Sequence, residues 1–214
     1  MLAKLIPQKF IYLFAIIISM AFTAKSQDSS CIPLIFSISD NGSVFPGTGY
    51  LGIISHPLHP GLSVGTYKVL REKPKSSLYH SIQLGGYYHK YNQTAIKLYT
   101  ELIYRYKFVK RFSIDPQIMV GYLLSIPDIQ VFEFKNGSYE KITSARSQFI
   151  AGANLGLSYD LRLRQPARIF LAYQFCLQMP YINNYVPMVP VTSLSLGFVY
   201  HLNRSCHKNK VDSK

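Results

Sequence analysis

The stretch Ala95–Phe108, AIKLYTELIYRYKF, decides the fold because its side chains alternate. Ile96, Leu98, Thr100, Leu102, Tyr104, Tyr106 and Phe108 share one parity. Lys97, Tyr99, Glu101, Ile103, Arg105 and Lys107 share the other. A period of two puts these rows on opposite faces of a β-strand, whereas a helix would bring back apolar residues every three or four positions. The run also exceeds the ~9–11 tilted residues that carry a strand across a bilayer.

The same alternation recurs on both sides. Residues 112–124 set Phe112, Ile114, Pro116, Ile118, Val120, Tyr122 and Leu124 against Ser113, Asp115, Gln117, Met119 and Gly121. Residues 78–91, 147–163, 168–179 and 191–202 repeat it, and 61–71 alternates more loosely. A further strand is expected at 49–55, ahead of the Pro-rich break Ser55–Gly61, which brings the total to eight. Ile32 to Ile38 could add a short strand to an otherwise irregular lead-in. Connections near Lys110 and Arg164-Gln165-Pro166 are short. The link 126–146, with its Asn136-Gly137 turn signal, and the link 180–190 are long. Short turns at one end and long loops at the other match the asymmetry of outer-membrane barrels, although the turn near Asn92 is short on the loop side.

Alternation does not say which row faces out. A soluble barrel has an apolar interior, and a membrane barrel inverts this. The polar rows here are rich in Gly and Ser rather than Lys, Glu and Thr, which suits the cramped interior of an eight-stranded barrel. Tyr87, Tyr88, Tyr91, Tyr104, Tyr106, Phe108, Phe112, Tyr122, Tyr159, Phe198 and Tyr200 cluster towards strand ends, where interfacial girdles need rings. The lipid face is therefore expected on even positions from 78 to 124, odd positions from 149 to 179, and even positions from 194. The fold class is all-β: a closed antiparallel up-and-down transmembrane barrel of eight strands.

Composition agrees. Hydrophobic residues make up 48% of the 214 and charged residues only 15%, against the roughly 25% usual for soluble domains. Lys4 and Lys9, the apolar run Phe10–Phe22 and the small residues of Ala24-Lys25-Ser26 have the three parts of a secretory signal, with cleavage before Gln27. An uncleaved N-terminal anchor is the alternative, but the run is shorter than the ~20 residues of a spanning helix. The expected organisation is a signal peptide at 1–26, an irregular lead-in at 27–46, the barrel at 47–203 and a basic polar tail at 204–214. Removing 1–26 takes away three lysines and no acid, so the formal charge falls from +13 to +10. Export argues against nucleic acid as the partner of that charge. Anionic headgroups or lipopolysaccharide phosphates fit it, as does a plain basic edge to the membrane-spanning region. Cys31 and Cys206, near the two ends of the exported chain, are a candidate disulfide, and Cys176 reads as a small packed residue.

The strand Leu194–Leu202, LSLGFVYHL, and the segment His59–Thr66, HPGLSVGT, resemble those of small eight-stranded outer-membrane β-barrel proteins, in particular uncharacterised barrels of Bacteroidota. The resemblance covers residues 47–203, although in such barrels the closing strand usually ends the chain, without a tail. It implies location in the outer membrane of the Gram-negative cell envelope. It also implies contact with outer-membrane lipid and lipopolysaccharide, and a closing strand read by the barrel assembly machinery.

Charges on the inner row invite a search for chemistry. A tight turn about Lys110 sets Arg105 opposite Asp115, with Glu101 one step diagonal to Gln117. Lys97, Glu101, Arg105, Asp115 and Asp160 are expected to form an interior charged cluster with a structural role, because charges in a narrow barrel need partners. His56 and His59 share the Pro-rich loop and lack a third ligand, so turn chemistry is expected there and no metal site. His80 falls on the lipid-facing row as an exception. No nucleophile elbow, acid–His pair or phosphate-binding loop is present. The expectation is a non-enzymatic barrel without cofactor, acting structurally or through extracellular loops. A barrel enzyme acting on envelope lipid and a soluble periplasmic lipid-binding barrel are the alternatives.

Overall fold

A computed structural model of the chain describes residues 33–43, 58–90, 92–128, 131–135, 138–142, 145–161, 167–180 and 187–201, with backbone alone over 131–135 and 138–142. The signal segment, Cys31, Cys206 and the tail lie outside the described residues. Ten strands are described: β1 Pro33–Gly42, β2 Pro60–Glu72, β3 Ser76–His89, β4 Gln93–Lys107, β5 Phe112–Pro127, β6 Val131–Lys135, β7 Ser138–Ile142, β8 Arg146–Leu161, β9 Ala167–Met179 and β10 Val189–His201. Eight of them close an antiparallel barrel in the order β1-β10-β9-β8-β5-β4-β3-β2. β6 and β7 form a separate hairpin in the link between β5 and β8, around the Asn136-Gly137 signal.

The irregular lead-in expected over 27–46, and the barrel start at 47, are corrected. Pro33–Gly42 is the first barrel strand, paired with β10 from Pro33↔His201 to Gly42↔Thr192 and with β2 from Leu34↔Thr66 to Asp40↔Pro60. Leu34, Ile35 and Phe36 run together as apolar residues, which hides the period. The strand becomes definite only when its two neighbours supply partners for its backbone groups. The strand expected at 49–55 lies outside the described residues.

Closure leaves no sheet edge, and every barrel strand has a neighbour on each side. The ladder between β4 and β5 is interrupted between Ile103↔Gln117 and Tyr106↔Ile114, where Pro116 has no N–H to donate. A bulge between Val69 and Arg71 bends β2 at the short-turn end.

The outward row is apolar and open. Leu62 is 68% exposed, Ile118 65%, and Leu84, Ile96, Leu155, Leu157 and Leu196 about half. The inward row is polar and buried, with Ser77, Ser81, Gln83, Lys97, Glu101, Arg105, Asp115, Gln148, Asn154, Ser158, Gln174 and Gln178 all below one-tenth exposure. The parity is the expected one throughout. At the short-turn end the outward rings include Tyr104, Tyr106, Phe108, Phe112, Phe198 and Tyr200. Phe112 lies 4.7 Å from Tyr159 and 6.4 Å from Phe108 between ring centroids. Tyr87, expected in a girdle, is corrected: it is an inward residue with 5% exposure. His80 does face outward, where its Nε2 lies 2.6 Å from Thr100 Oγ1 on the neighbouring strand.

Candidate functional site: the barrel interior

The inward side chains stack in three levels, each assembled from several strands. At the short-turn level, β4 and β5 hold Arg105 against Asp115. The guanidinium donates from Nε to Oδ1 at 2.9 Å and from Nη2 to Oδ2 at 3.0 Å. This two-pronged match of a planar donor and a planar acceptor is the strong form of an ion pair. Ser158 Oγ donates a third bond to Asp115 at 2.8 Å, and the guanidinium lies 4.6 Å from the centre of the Tyr79 ring. The gap in the ladder at Pro116 lies beside this pair.

The middle level centres on Glu101. Its carboxylate accepts bonds from Ser81 Oγ at 3.1 Å, Asn154 Nδ2 at 2.7 Å and the Gln83 side-chain amide. Tyr99 Oη donates to Gln83 Oε1 at 3.1 Å, and Asn154 Nδ2 also reaches Gln117 Oε1 at 3.2 Å. Glu101 is therefore held by dipoles from β3 and β8. Lys97 lies higher on the same strand, 3.4 Å from Gln174 Oε1 and 5.1 Å from the centre of the Tyr99 ring.

The loop-side level is a plug. Tyr87, Ala95, Tyr99, Met119, Leu123, Ile150, Cys176 and Val191 pack as one buried apolar cluster. Above it Gln93 bonds to Tyr87 Oη at 2.7 Å and to Gln178 Oε1 at 3.0 Å, while Gln178 Nε2 reaches Tyr87 Oη at 2.5 Å. Cys176 is buried in this cluster.

A cavity of about 60 Å³ remains below the plug, lined by Glu101, Gln83, Tyr99, Arg105 and Asn154 among others. Asn154 Oδ1 and Arg105 Nη1 are buried without a hydrogen-bond partner. A polar void of this size suits a few ordered waters. It is too small and too polar for a lipid chain, so the described interior does not match the apolar interior expected of a soluble lipid carrier.

Of the five charged residues expected to cluster, Lys97, Glu101, Arg105 and Asp115 all point into the barrel. Asp160 stands apart at the short-turn rim, where its Oδ1 accepts from Arg168 Nε at 2.5 Å and its side chain is one-third exposed. Ser81, Gln83 and Asn154 around Glu101, and Ser158 beside Asp115, escaped the sequence reading. Their small or amide side chains carry no motif, and only closure brings β3 and β8 to β4.

At the loop-side mouth, His59 stacks on His89 with ring centroids 3.6 Å apart, and its backbone N–H donates to Asp40 Oδ1 at 2.7 Å. No sequence signal marked this stacking, and His56 lies outside the described residues. Burial, and next to it His89, push the His59 pKa down, against a smaller upward pull from Asp40. Among the described residues no group of three His, Cys, Asp or Glu side chains is placed to hold a metal ion.

No family model and no curated protein matches the chain. Among solved structures, Neisserial surface protein A is 12% identical over 79% of this chain and 95% of its own, with a TM-score of 0.49. Ail, the attachment invasion locus protein of Yersinia pestis, is 12% identical over 80% and 97%, with a TM-score of 0.40. The N-terminal β-barrel domain of Pseudomonas aeruginosa OprF is 14% identical over 78% and 97%, with a TM-score of 0.41. The likeness extends to barrel architecture and no further. By its own pairing and its inverted faces, the chain is a closed eight-stranded antiparallel barrel of the transmembrane type.

Proposed function

We propose that the chain is an exported protein of the Gram-negative outer membrane, in which the barrel is an anchor and the long loops carry a non-enzymatic structural or interaction role. The observation that supports this is the inversion of the two faces: leucines and isoleucines open to the outside, glutamines and the Arg105–Asp115 ion pair within. Such a surface is stable only against hydrocarbon, and only closure lets backbone groups at that depth be paired. The short turns then face the periplasm and the long loops, including the β6–β7 hairpin, face outward. The interior charged cluster has a structural role in this reading. The apolar plug disfavours a diffusion pore. Outer-membrane lipid surrounds the belt, with lipopolysaccharide on the loop side, and the β10 strand is the segment offered to the barrel assembly machinery.

The carboxylates of Glu101 and Asp115 are already engaged by donors. That arrangement disfavours the lipid-modifying enzyme, and envelope lipid unchanged in a Glu101→Gln strain is the expected outcome. The decisive experiment is membrane fractionation with gel mobility before and after boiling. The protein should sediment with outer membrane, resist alkaline extraction and migrate as a compact form until boiled. Release into the soluble fraction, or mobility that ignores heating, would refute the proposal.

A further inference from the structure

The charged residues of the two rims are distributed unequally. Among the described residues, the short-turn end carries Arg71, Lys73, Lys75, Lys107, Lys110 and Arg111 beyond the paired Arg168–Asp160, with Glu72 as a further acid. The loop end carries Lys90 and Arg146 against Asp40 and Asp128, and the β6–β7 hairpin adds Lys135 and Lys141 against Glu133 and Glu140. The excess positive charge of the barrel is therefore gathered at the end where the backbone turns are short.

These cations are placed by a bonded framework. The β2–β3 turn is closed by Lys73 N–H donating to Ser76 O at 2.8 Å, and it is tied to the next hairpin by Lys107 N–H donating to Lys75 O at 2.9 Å. The β4–β5 turn is tied to β8 by Asp160 N–H donating to Arg111 O at 3.0 Å. Lys73, Lys75 and Lys110 are exposed. Arg111 Nη1 donates to Tyr159 Oη at 3.1 Å, which sets the guanidinium beside the outward Phe112–Tyr159 ring pair. An apolar ring floor with cations just beyond it has the layout of an acyl chain leading to a phosphate.

We infer that the short-turn rim, centred on Lys73, Lys75, Lys110 and Arg111, is a binding surface for anionic glycerophospholipid headgroups of the leaflet on that side. This rests on the outer-membrane reading above and deepens it. It places the phosphate contacts of the chain at the end opposite its long loops, rather than with lipopolysaccharide. Membrane-proximal basic residues each contribute a several-fold gain in affinity for anionic lipid at moderate salt.

The test uses the full exported chain, refolded in neutral detergent and titrated with phosphatidylglycerol, phosphatidylethanolamine or lipid A. Bound lipids are counted by native mass spectrometry. Phosphatidylglycerol should be retained at least about tenfold more tightly than phosphatidylethanolamine. The variant Lys73→Gln/Lys75→Gln/Lys110→Gln/Arg111→Gln should lose that preference while keeping heat-modifiable mobility. Lys90→Gln/Arg146→Gln, at the other rim, should keep it. Equal retention of the two phospholipids, or a preference that survives in the fourfold variant or is lost in the loop-end variant, would overturn the proposal. Tighter binding of lipid A through the same four residues would overturn the assignment to glycerophospholipid. Failure of the outer-membrane reading would show separately, as loss of heat-modifiable mobility in the unmutated chain.

Discussion

Asp115→Ala probes how dry and how closely packed the interior is. Asp115 accepts three bonds, two from Arg105 at 2.9 and 3.0 Å and one from Ser158 at 2.8 Å. The side chains of the pair are 6% and 3% exposed. Removing the carboxylate strands a buried guanidinium whose Nη1 already lacks a protein partner, with the Tyr79 ring face beside it. Breaking a buried pair from one side costs about 3–5 kcal/mol, which lowers the folding equilibrium constant by a factor of about 100 to several thousand. Arg105→Met/Asp115→Leu removes both charges and should recover most of that loss, because a pair and its apolar replacement are nearly balanced. The assay is reversible urea unfolding in vesicles, followed by far-ultraviolet dichroism, since the chain has no tryptophan. A loss below about 1 kcal/mol for Asp115→Ala would mean that water screens the pair as it does at a surface. That result, or a double variant as unstable as the sum of the single losses, would refute a sealed interior.

Three other outcomes are expected. Leu84, half exposed near the middle of β3, faces lipid in this account; Leu84→Arg should cost about 2–4 kcal/mol and reduce assembly, measured by the heat-modifiable fraction. Gly152→Ala would bring a Cβ to 2.1 Å from the Phe175 carbonyl oxygen, whereas Gly156→Ala in the same strand meets nothing closer than 3.4 Å. The first should lose about 1–3 kcal/mol and the second far less, on the same urea scale. His59 has its pKa held below the ordinary 6.5, so the folded mouth resists protonation. Its stability is complete above that value and falls as pH drops through 6.5 towards the lower folded pKa. The protection factor of the Asn41 amide, which donates to His59 O at 3.0 Å, taken relative to the intrinsic exchange rate at each pH, should therefore fall as pH drops below 6.5. His59→Gln should abolish that pH dependence of protection.

The strands from β2 onward, β6 and β7 aside, were legible because alternation is a local property of each segment. β1 was not, since Ile35 turns inward between Leu34 and Phe36 and blurs the period. The Arg105–Asp115 pair was legible because a tight turn at Lys110 fixes the register of a single hairpin. The setting of Glu101 was not. Gln83 and Asn154 reach it from β3 and β8, and their positions depend on the registers of several ladders and on closure between β1 and β10. Tyr87 was misplaced for a different reason: a ring near a strand end reads as a girdle, although its odd parity already turns it inward, where it meets Gln93 and Gln178.

Spin labels placed one at a time at positions 95 to 106 of β4, in vesicles, with oxygen and a water-soluble nickel chelate as relaxation agents, report whether the two rows of a strand face lipid and a sealed polar interior. Oxygen accessibility should peak at the even positions, Ile96, Leu98, Leu102 and Tyr104 among them. At the odd positions both agents should be excluded. Even positions relaxed by the nickel chelate, or a profile without a period of two, would contradict the account.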